Sequence, residues 1–196
     1  MPILVVATGN PGKVQEMQAY LTDPELAAWQ LQLKPAELDI EETGTTFLEN
    51  AALKASQVAQ ALGEWAIADD SGLAVDALNG APGLYSARYA STTEARIQRL
   101  LAEMQGQSNR QAHFICAIAV ARPDGTIALQ TEGICDGEIL EEPRGSGGFG
   151  YDPVFYVPAH QMTFAEMPAS LKHDISHRGL AFQALVPQLK ALLAST

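Results

Sequence analysis

Residues 66–89 read AIADDSGLAVDALNGAPGLYSARY. Ala66-Ile67-Ala68 is a short apolar run, followed by two adjacent carboxylates, Asp69 and Asp70, and then by Ser71-Gly72. The pattern predicts a buried strand that runs into a Gly-containing turn. In α/β folds the carboxyl ends of strands face the ligand crevice. Side chains alternate along a strand, so Asp69 and Asp70 are expected to play different parts. Two buried carboxylates this close repel each other unless a divalent metal or a set of Lys and Arg offsets their charge. The plainer reading of Asp69 to Gly72 is a turn that caps the next element.

Working outward, the 196-residue chain is long enough for one domain with a substantial core. It is 47% hydrophobic and 18% charged, as expected of a folded soluble protein. Its net charge of −11 argues against non-specific nucleic-acid binding and against an anionic membrane surface. A small anionic substrate stays compatible, because a few clustered cations set a local field. No apolar run approaches the roughly 18 residues of a membrane span. Ile3 to Ala7 is too short for a signal sequence and has no basic flank. Cys116 and Cys135 make neither a disulfide framework nor a CxxC knuckle, and read as buried small apolar residues. A cytoplasmic location is expected.

Toward the N-terminus, Ile3 to Ala7 predicts a strand buried on both faces. Thr8-Gly9-Asn10-Pro11-Gly12-Lys13 follows, then Val14, Met17 and Leu21 at helical spacing. Strand, Gly-rich loop and helix is an arrangement that holds phosphate on backbone N–H groups. The loop is not a Walker A motif, since its glycines are too close together and no Ser or Thr follows Lys13. Lys13 opposes the helix dipole, and a phosphate ligand would explain it. A strand is expected around Trp29 to Leu33 within an otherwise irregular stretch, 22–44. Thr46 and Glu49 form a capping box for a helix to about Leu62, with Phe47, Ala51, Val58 and Leu62 on its apolar side. Lys54 falls in that stripe. It either snorkels to the surface or enters a site.

Beyond Gly72, Leu73 to Leu78 predicts a short element, and Asn79 to Gly83 a loop. Thr92 to Met104 reads as a helix. His113 to Ala121 and Ile127 to Thr131 form a hairpin through Arg122-Pro123-Asp124-Gly125. Gly133 to Leu140 is expected as a further strand, with Asp136, Glu138, Glu141 and Glu142 on a solvated edge. In the second Gly-rich stretch, PRGSGGFGYDPVFYVP (143–158), four glycines surround Phe149. Phe149 either stacks on a base or anchors the loop in the core. Phe155 to Val157 is expected as a strand. Ser176-His177-Arg178 precedes a closing helix with Phe182, Leu185, Leu189 and Leu192 on one face, which Pro187 should kink or restart.

Cations lie beside the Gly-rich and acidic motifs (Lys13, Lys54, Lys172, Arg178), with Glu41, Glu42, Asp69 and Asp70 in the others. Such a set is equipment for phosphoryl chemistry. Four motifs in order resemble the inosine triphosphate pyrophosphatase family, bacterial branch. They are the Thr8 to Lys13 loop; Glu42-Thr43-Gly44 with Glu49-Asn50-Ala51 and Lys54-Ala55; Ala68 to Leu73; and Gly147-Gly148-Phe149-Gly150-Tyr151-Asp152-Pro153 with Ser176-His177-Arg178-Gly179. The resemblance covers nearly the whole chain as a single domain, 1–196. It implies an α/β fold, a long mixed β-sheet flanked by helices, in two lobes with the active site in the cleft between them.

The activity implied is Mg²⁺-dependent hydrolysis of ITP, dITP and XTP to the monophosphate and pyrophosphate. By the same resemblance, Thr8, Gly9, Asn10, Pro11, Gly12 and Lys13 bind the triphosphate and Lys54 contacts phosphate. Asp70 is the base or water-positioning group and a Mg²⁺ ligand; Asp69 supports it, and Ser71 touches substrate. Glu42 is the second metal carboxylate, with Glu41 one position away. Phe149, Gly150, Tyr151 and Asp152 line the base pocket, and Lys172, His177 and Arg178 read the base edge. The family is usually homodimeric, and Tyr85, Tyr89 and loop 79–84 read as an exposed interface. Other readings are a pyrophosphatase of other modified nucleotides, or a nucleotide sensor without turnover.

Overall fold

The computed structural model describes residues 3–21 and 29–194; the part of the irregular stretch at 22–28 lies outside them. The strands are β1 (Ile3–Val6), β2 (Gln30–Leu33), β3 (Trp65–Val75), β4 (Gln111–Ala121), β5 (Ile127–Ile139), β6 (Phe155–Val157) and β7 (Met162–Thr163). They form a seven-stranded sheet in the order β2-β1-β3-β4-β5-β6-β7. β1 is parallel to both β2 and β3, whereas β6 is antiparallel to β5 and to β7, so the sheet is mixed, as expected. The helices are α1 (Pro11–Leu21), α2 (Phe47–Leu62), α3 (Thr93–Glu103), α4 (Ala169–Ile175) and α5 (His177–Ala194). Among the described residues no helix is long and apolar enough to cross a membrane.

The chain forms two compact units, one of residues 1–70, 116–133 and 180–196, the other of 71–115 and 134–179. In the first unit, strand periodicity sorts the core into two layers. Leu4, Val6, Ile67, Cys116, Ile118 and Val120 pack with Met17 and Tyr20 of α1 and with Phe182, Leu185 and Leu189 of α5. Val5, Ala7, Ala66, Ala68, Ala117, Ala119 and Ala121 pack with Ala51, Ala55, Val58 and Ala59 of α2. Alanine on both sides of that second layer lets α2 lie close to the strands. In the second unit, Leu73, Leu100, Phe114, Ile139, Phe155 and Phe164 belong to a third core.

Several expectations are corrected. β3 does not turn at Asp69 to Gly72; it continues to Val75 and absorbs the short element expected from Leu73, followed by a 3₁₀ turn at Asp76–Leu78. Sheet pairing overrides the turn preference of Asp, Ser and Gly. The two strands expected between Ile127 and Leu140 are one, β5, which lies between β4 and β6 and is therefore not an edge. α5 passes through Pro187 without restarting. Tyr89 is buried, with Arg99 stacked on its ring and its hydroxyl donating to Glu103; burial and that carboxylate push its phenol up to about 12. Tyr85 is exposed.

The helix signals hold in most places. Thr46 caps α2, accepting from the Glu49 N–H at 3.1 Å, and the Glu49 carboxylate reaches back to the Thr46 backbone and, more closely, to Thr45. Thr92 caps α3 in the same way, through the Ala95 N–H.

Candidate active site

In the first unit the site is built on β3. Asp69 has the parity of Ile67 and turns to the α1 and α5 layer; Asp70 has the parity of Ala66 and Ala68 and turns to α2. The Asp69 carboxylate is fully buried and lies 3.1 Å from the Lys13 Nζ of α1. The Cys116 thiol is 4.0 Å from the same oxygen. This pairing is a second reason, besides phosphate, for a lysine in the first turn of α1.

Asp70 Oδ1 accepts from the Lys54 Nζ at 2.9 Å, and Oδ2 accepts from the Asn50 amide at 3.2 Å. Asn50 and Lys54 are four apart on α2, so they sit one above the other. Lys54 does not snorkel. It is buried, and its Nζ also donates to Glu42 Oε1 at 2.8 Å. Burial alone would lower its pKa, but the charges of Asp70, Asp69 and Glu42 outweigh burial and raise it above the usual lysine value.

The same geometry separates Glu41 from Glu42. Glu42 turns its carboxylate to Lys54, whereas the backbone of Glu41 is held by Gln57, whose amide donates to the Glu41 carbonyl at 3.1 Å. Asn50 ties this segment down, because its Oδ1 accepts from the Gly44 N–H at 2.8 Å. A Cβ at Gly44 would sit 2.7 Å from that oxygen.

The loop before α1 is organised by Asn10. Its Oδ1 accepts from the N–H groups of Gly12 at 3.0 Å and Lys13 at 3.3 Å, and its own N–H donates to Thr8 Oγ1 at 3.2 Å. The helix N-terminus is thus capped from within, and Gly9 is open on the side where a Cβ would project.

In the second unit, Asp152 is the organising residue. Its buried Oδ2 accepts from the Phe149 N–H at 2.8 Å and from the Lys172 Nζ at 2.7 Å. The Lys172 Nζ stands 4.9 Å from the centroid of the half-buried Phe149 ring, which is not a core anchor. Gly148 has φ +69°, and a Cβ there would collide with Asp152 Oδ2. Gly150 also has positive φ, +63°.

Arg178, almost fully buried at the start of α5, donates to Ser71 Oγ at 3.0 Å. The His177 ring stacks on Phe114, with centroids 4.7 Å apart. Tyr151 is buried, donates its hydroxyl to the Ser86 carbonyl at 2.9 Å and has its pKa raised by burial.

The expected site residues therefore gather in two sets. Lys13, Glu42, Lys54, Asp69 and Asp70 come together in the first unit, and Phe149, Asp152 and Lys172 in the second, where Ser71 meets Arg178. The side chains of Tyr151 and His177 are engaged with Ser86 and Phe114 instead. Sequence reasoning missed Asn50, although a buried polar residue four before Lys54 on an apolar stripe is a readable signal. It also missed Phe164, whose ring centroid is 5.6 Å from the Lys172 Nζ.

A β1–loop–α1 unit on a mixed sheet, with paired carboxylates and lysines beside it, places the chain in the α/β class of proteins. Within it, the Ham1 family matches residues 4–188, and the chain belongs to that family. This bears out the resemblance drawn from the four motifs. The chain is 63% identical over 194 residues to a dITP/XTP pyrophosphatase of Nostoc sp., spanning 99% of this chain and 97% of that protein. It is 61% identical over 192 residues to a dITP/XTP pyrophosphatase of Synechocystis sp., spanning 98% and 97%. Its fold resembles that of a HAM1 protein from Coxiella burnetii, with a TM-score of 0.86, 43% identity and full coverage of both chains.

Proposed function

We propose that this protein is a nucleoside triphosphate pyrophosphatase that hydrolyses ITP, dITP and XTP to the monophosphate and pyrophosphate, clearing deaminated purines from the nucleotide pool. The observation that carries the reading is the cluster in which Asp69 and Asp70 each face a different lysine, Lys13 and Lys54. The substrate class is supported by the dITP/XTP pyrophosphatases of Nostoc and Synechocystis.

Asp70 retains some exposure whereas Asp69 has none. Asp70 accordingly orients the attacking water and accepts its proton, while Asp69 holds the Lys13 ammonium. Lys13, Lys54 and the Thr8 to Lys13 loop bind the triphosphate. Bringing these ammonium groups to the phosphates stabilises the charge that develops on them during the reaction.

The donor set fits a hard divalent cation. Glu42 and Asp70 converge on a single ammonium, and Mg²⁺ commonly takes one or two carboxylates together with waters and substrate phosphates. Glu42 and Asp70 would hold it. Bound there, Mg²⁺ would supply neutralisation of the phosphate charge.

The base half of the reading belongs to the second set. Phe149 offers a stacking face, and Lys172 and Arg178 offer donors to the 6-keto oxygen of a deaminated purine, while the neighbouring His177 ring stacks on Phe114. The 6-amino group of adenine would leave those donors unpaired, a mismatch that can discriminate by about 10⁴. We extend the proposal to one functional domain, 1–196, acting as a homodimer with the exposed Tyr85 on its contact face; sedimentation of wild type and Tyr85→Ala tests the latter.

Product analysis tests the reaction. Inosine monophosphate and pyrophosphate from ITP are expected; inosine diphosphate and orthophosphate would contradict it.

A further inference from the structure

We infer that Lys54 is a built-in counter-ion that keeps Glu42 and Asp70 closed to free divalent cations, so that metal enters together with the nucleotide. The inference rests on the proposed metal role of those two carboxylates. The Lys54 Nζ is 2.8 Å from Glu42 Oε1 and 2.9 Å from Asp70 Oδ1, so one ammonium occupies the point on which both carboxylates converge. Lys54 is held there by construction. Its stem rises from the buried face of α2 between Ala51 and Ala55, both with no exposure, and its residue as a whole is 8% exposed.

A divalent ion that reaches Glu42 and Asp70 meets this ammonium at close range, where the repulsion is large because solvent screens little. Of the groups named, Asp69 is neutralised in the same manner by Lys13. Three carboxylates and two ammonium groups leave little net attraction for a metal on its own.

A polyphosphate changes the balance. Its oxygens compete for the ammonium groups, draw Lys54 and Lys13 away from the carboxylates, and bring the negative charge that a divalent ion needs. Lys54 is therefore a positioning residue with two partners in turn, the carboxylates before the nucleotide arrives and a phosphate after it. The arrangement makes affinity for metal and affinity for nucleotide mutually reinforcing.

The test is Mn²⁺ binding to the nucleotide-free protein, followed by electron paramagnetic resonance. Wild type and Lys54→Arg are expected to bind weakly at this site, and Lys54→Met at least about tenfold more tightly, with the gain lost in Lys54→Met/Asp70→Asn. Unchanged or weaker binding by Lys54→Met, or an equal gain in Lys54→Arg, would overturn the inference. A second measurement needs no variant: Mn²⁺ at saturating concentration should speed acetylation of the Lys54 amine in the wild-type protein, read by peptide mass spectrometry. An unchanged rate would overturn it. Turnover of ITP by wild type is read separately, so loss of the metal effect with turnover intact sinks this inference alone, and absence of turnover sinks the proposed function.

Discussion

Asp69 and Asp70 are neighbours in β3, yet they answer to different helices: Asp69 lies 3.1 Å from Lys13 of α1, and Asp70 lies 2.9 Å from Lys54 of α2. The separation follows from the alternation of a strand that continues through them. Asp69 follows Ile67 into the layer of α1, and Asp70 follows Ala68 into the layer of α2. A turn at this point would have lost that division of labour.

Asp70→Asn tests the part assigned to that carboxylate. The amide keeps the shape and the contact with Asn50 but loses the carboxylate that the proposal assigns as base and metal ligand. kcat for ITP is expected to fall by about 10²–10⁴, while substrate still binds in an equilibrium titration. An unchanged kcat would remove Asp70 from the chemistry.

Lys172→Ala is expected to raise KM for ITP and to shrink its advantage over ATP. Its partner Asp152 is buried, so losing the ammonium that neutralises this carboxylate should lower folding stability by about 3–5 kcal/mol. Denaturant melts alongside the nucleotide kinetics separate the two effects. An unaltered preference for ITP would take Lys172 out of base recognition.

Gly148→Ala should imitate the loss of Asp152. The residue is left-handed at φ +69°, and the new methyl would displace the Asp152 oxygen that holds both the Phe149 N–H and Lys172. The expected outcome is a raised KM for ITP in steady-state nucleotide kinetics, and an unchanged KM would contradict it.

His113 gives a pH dependence of stability that is independent of the proposed site. Its ring nitrogens lie 2.7 Å from Asp136 and 3.1 Å from Asp76. The hydrogen bond to Asp136 raises its pKa above the ordinary histidine value of 6.5, against an opposing effect of burial, and Asp76 adds to the rise. A raised folded-state pKa means stability that is fully present below the unfolded value and lost as pH rises through the folded one. The melting-temperature gap between wild type and His113→Gln should be widest near pH 6 and close on the alkaline side. The pair is partly solvent-exposed, so the gap corresponds to less than about 1 kcal/mol.

Much of this was legible beforehand, and the exceptions share a cause. β1, the loop and α1 announce themselves by an apolar run, Asn10-Pro11-Gly12 and helical spacing. Thr46 and Thr92 mark the starts of α2 and α3 through local chemistry that no distant contact alters. Lys54 stood out because a cation on an apolar stripe needs a partner. What stayed hidden was decided by neighbours far away in sequence. Asp69 to Gly72 has the composition of a turn, and only strand pairing extends it. Tyr89 looked exposed because its flanks are small and polar, whereas α3 supplies Arg99 and Glu103 to cover it. α4 is seven residues long and begins without a side-chain cap, which leaves little signal in Ala169–Ile175.

The most direct measurement is pyrophosphate release from ITP, dITP, XTP, GTP, ATP and dUTP, each with Mg²⁺ and with EDTA. Rapid Mg²⁺-dependent release from ITP, dITP and XTP, with little from ATP and GTP, is the expected result. Equal release from ATP, or tight binding of ITP without any release, would contradict a pyrophosphatase selective for deaminated purines.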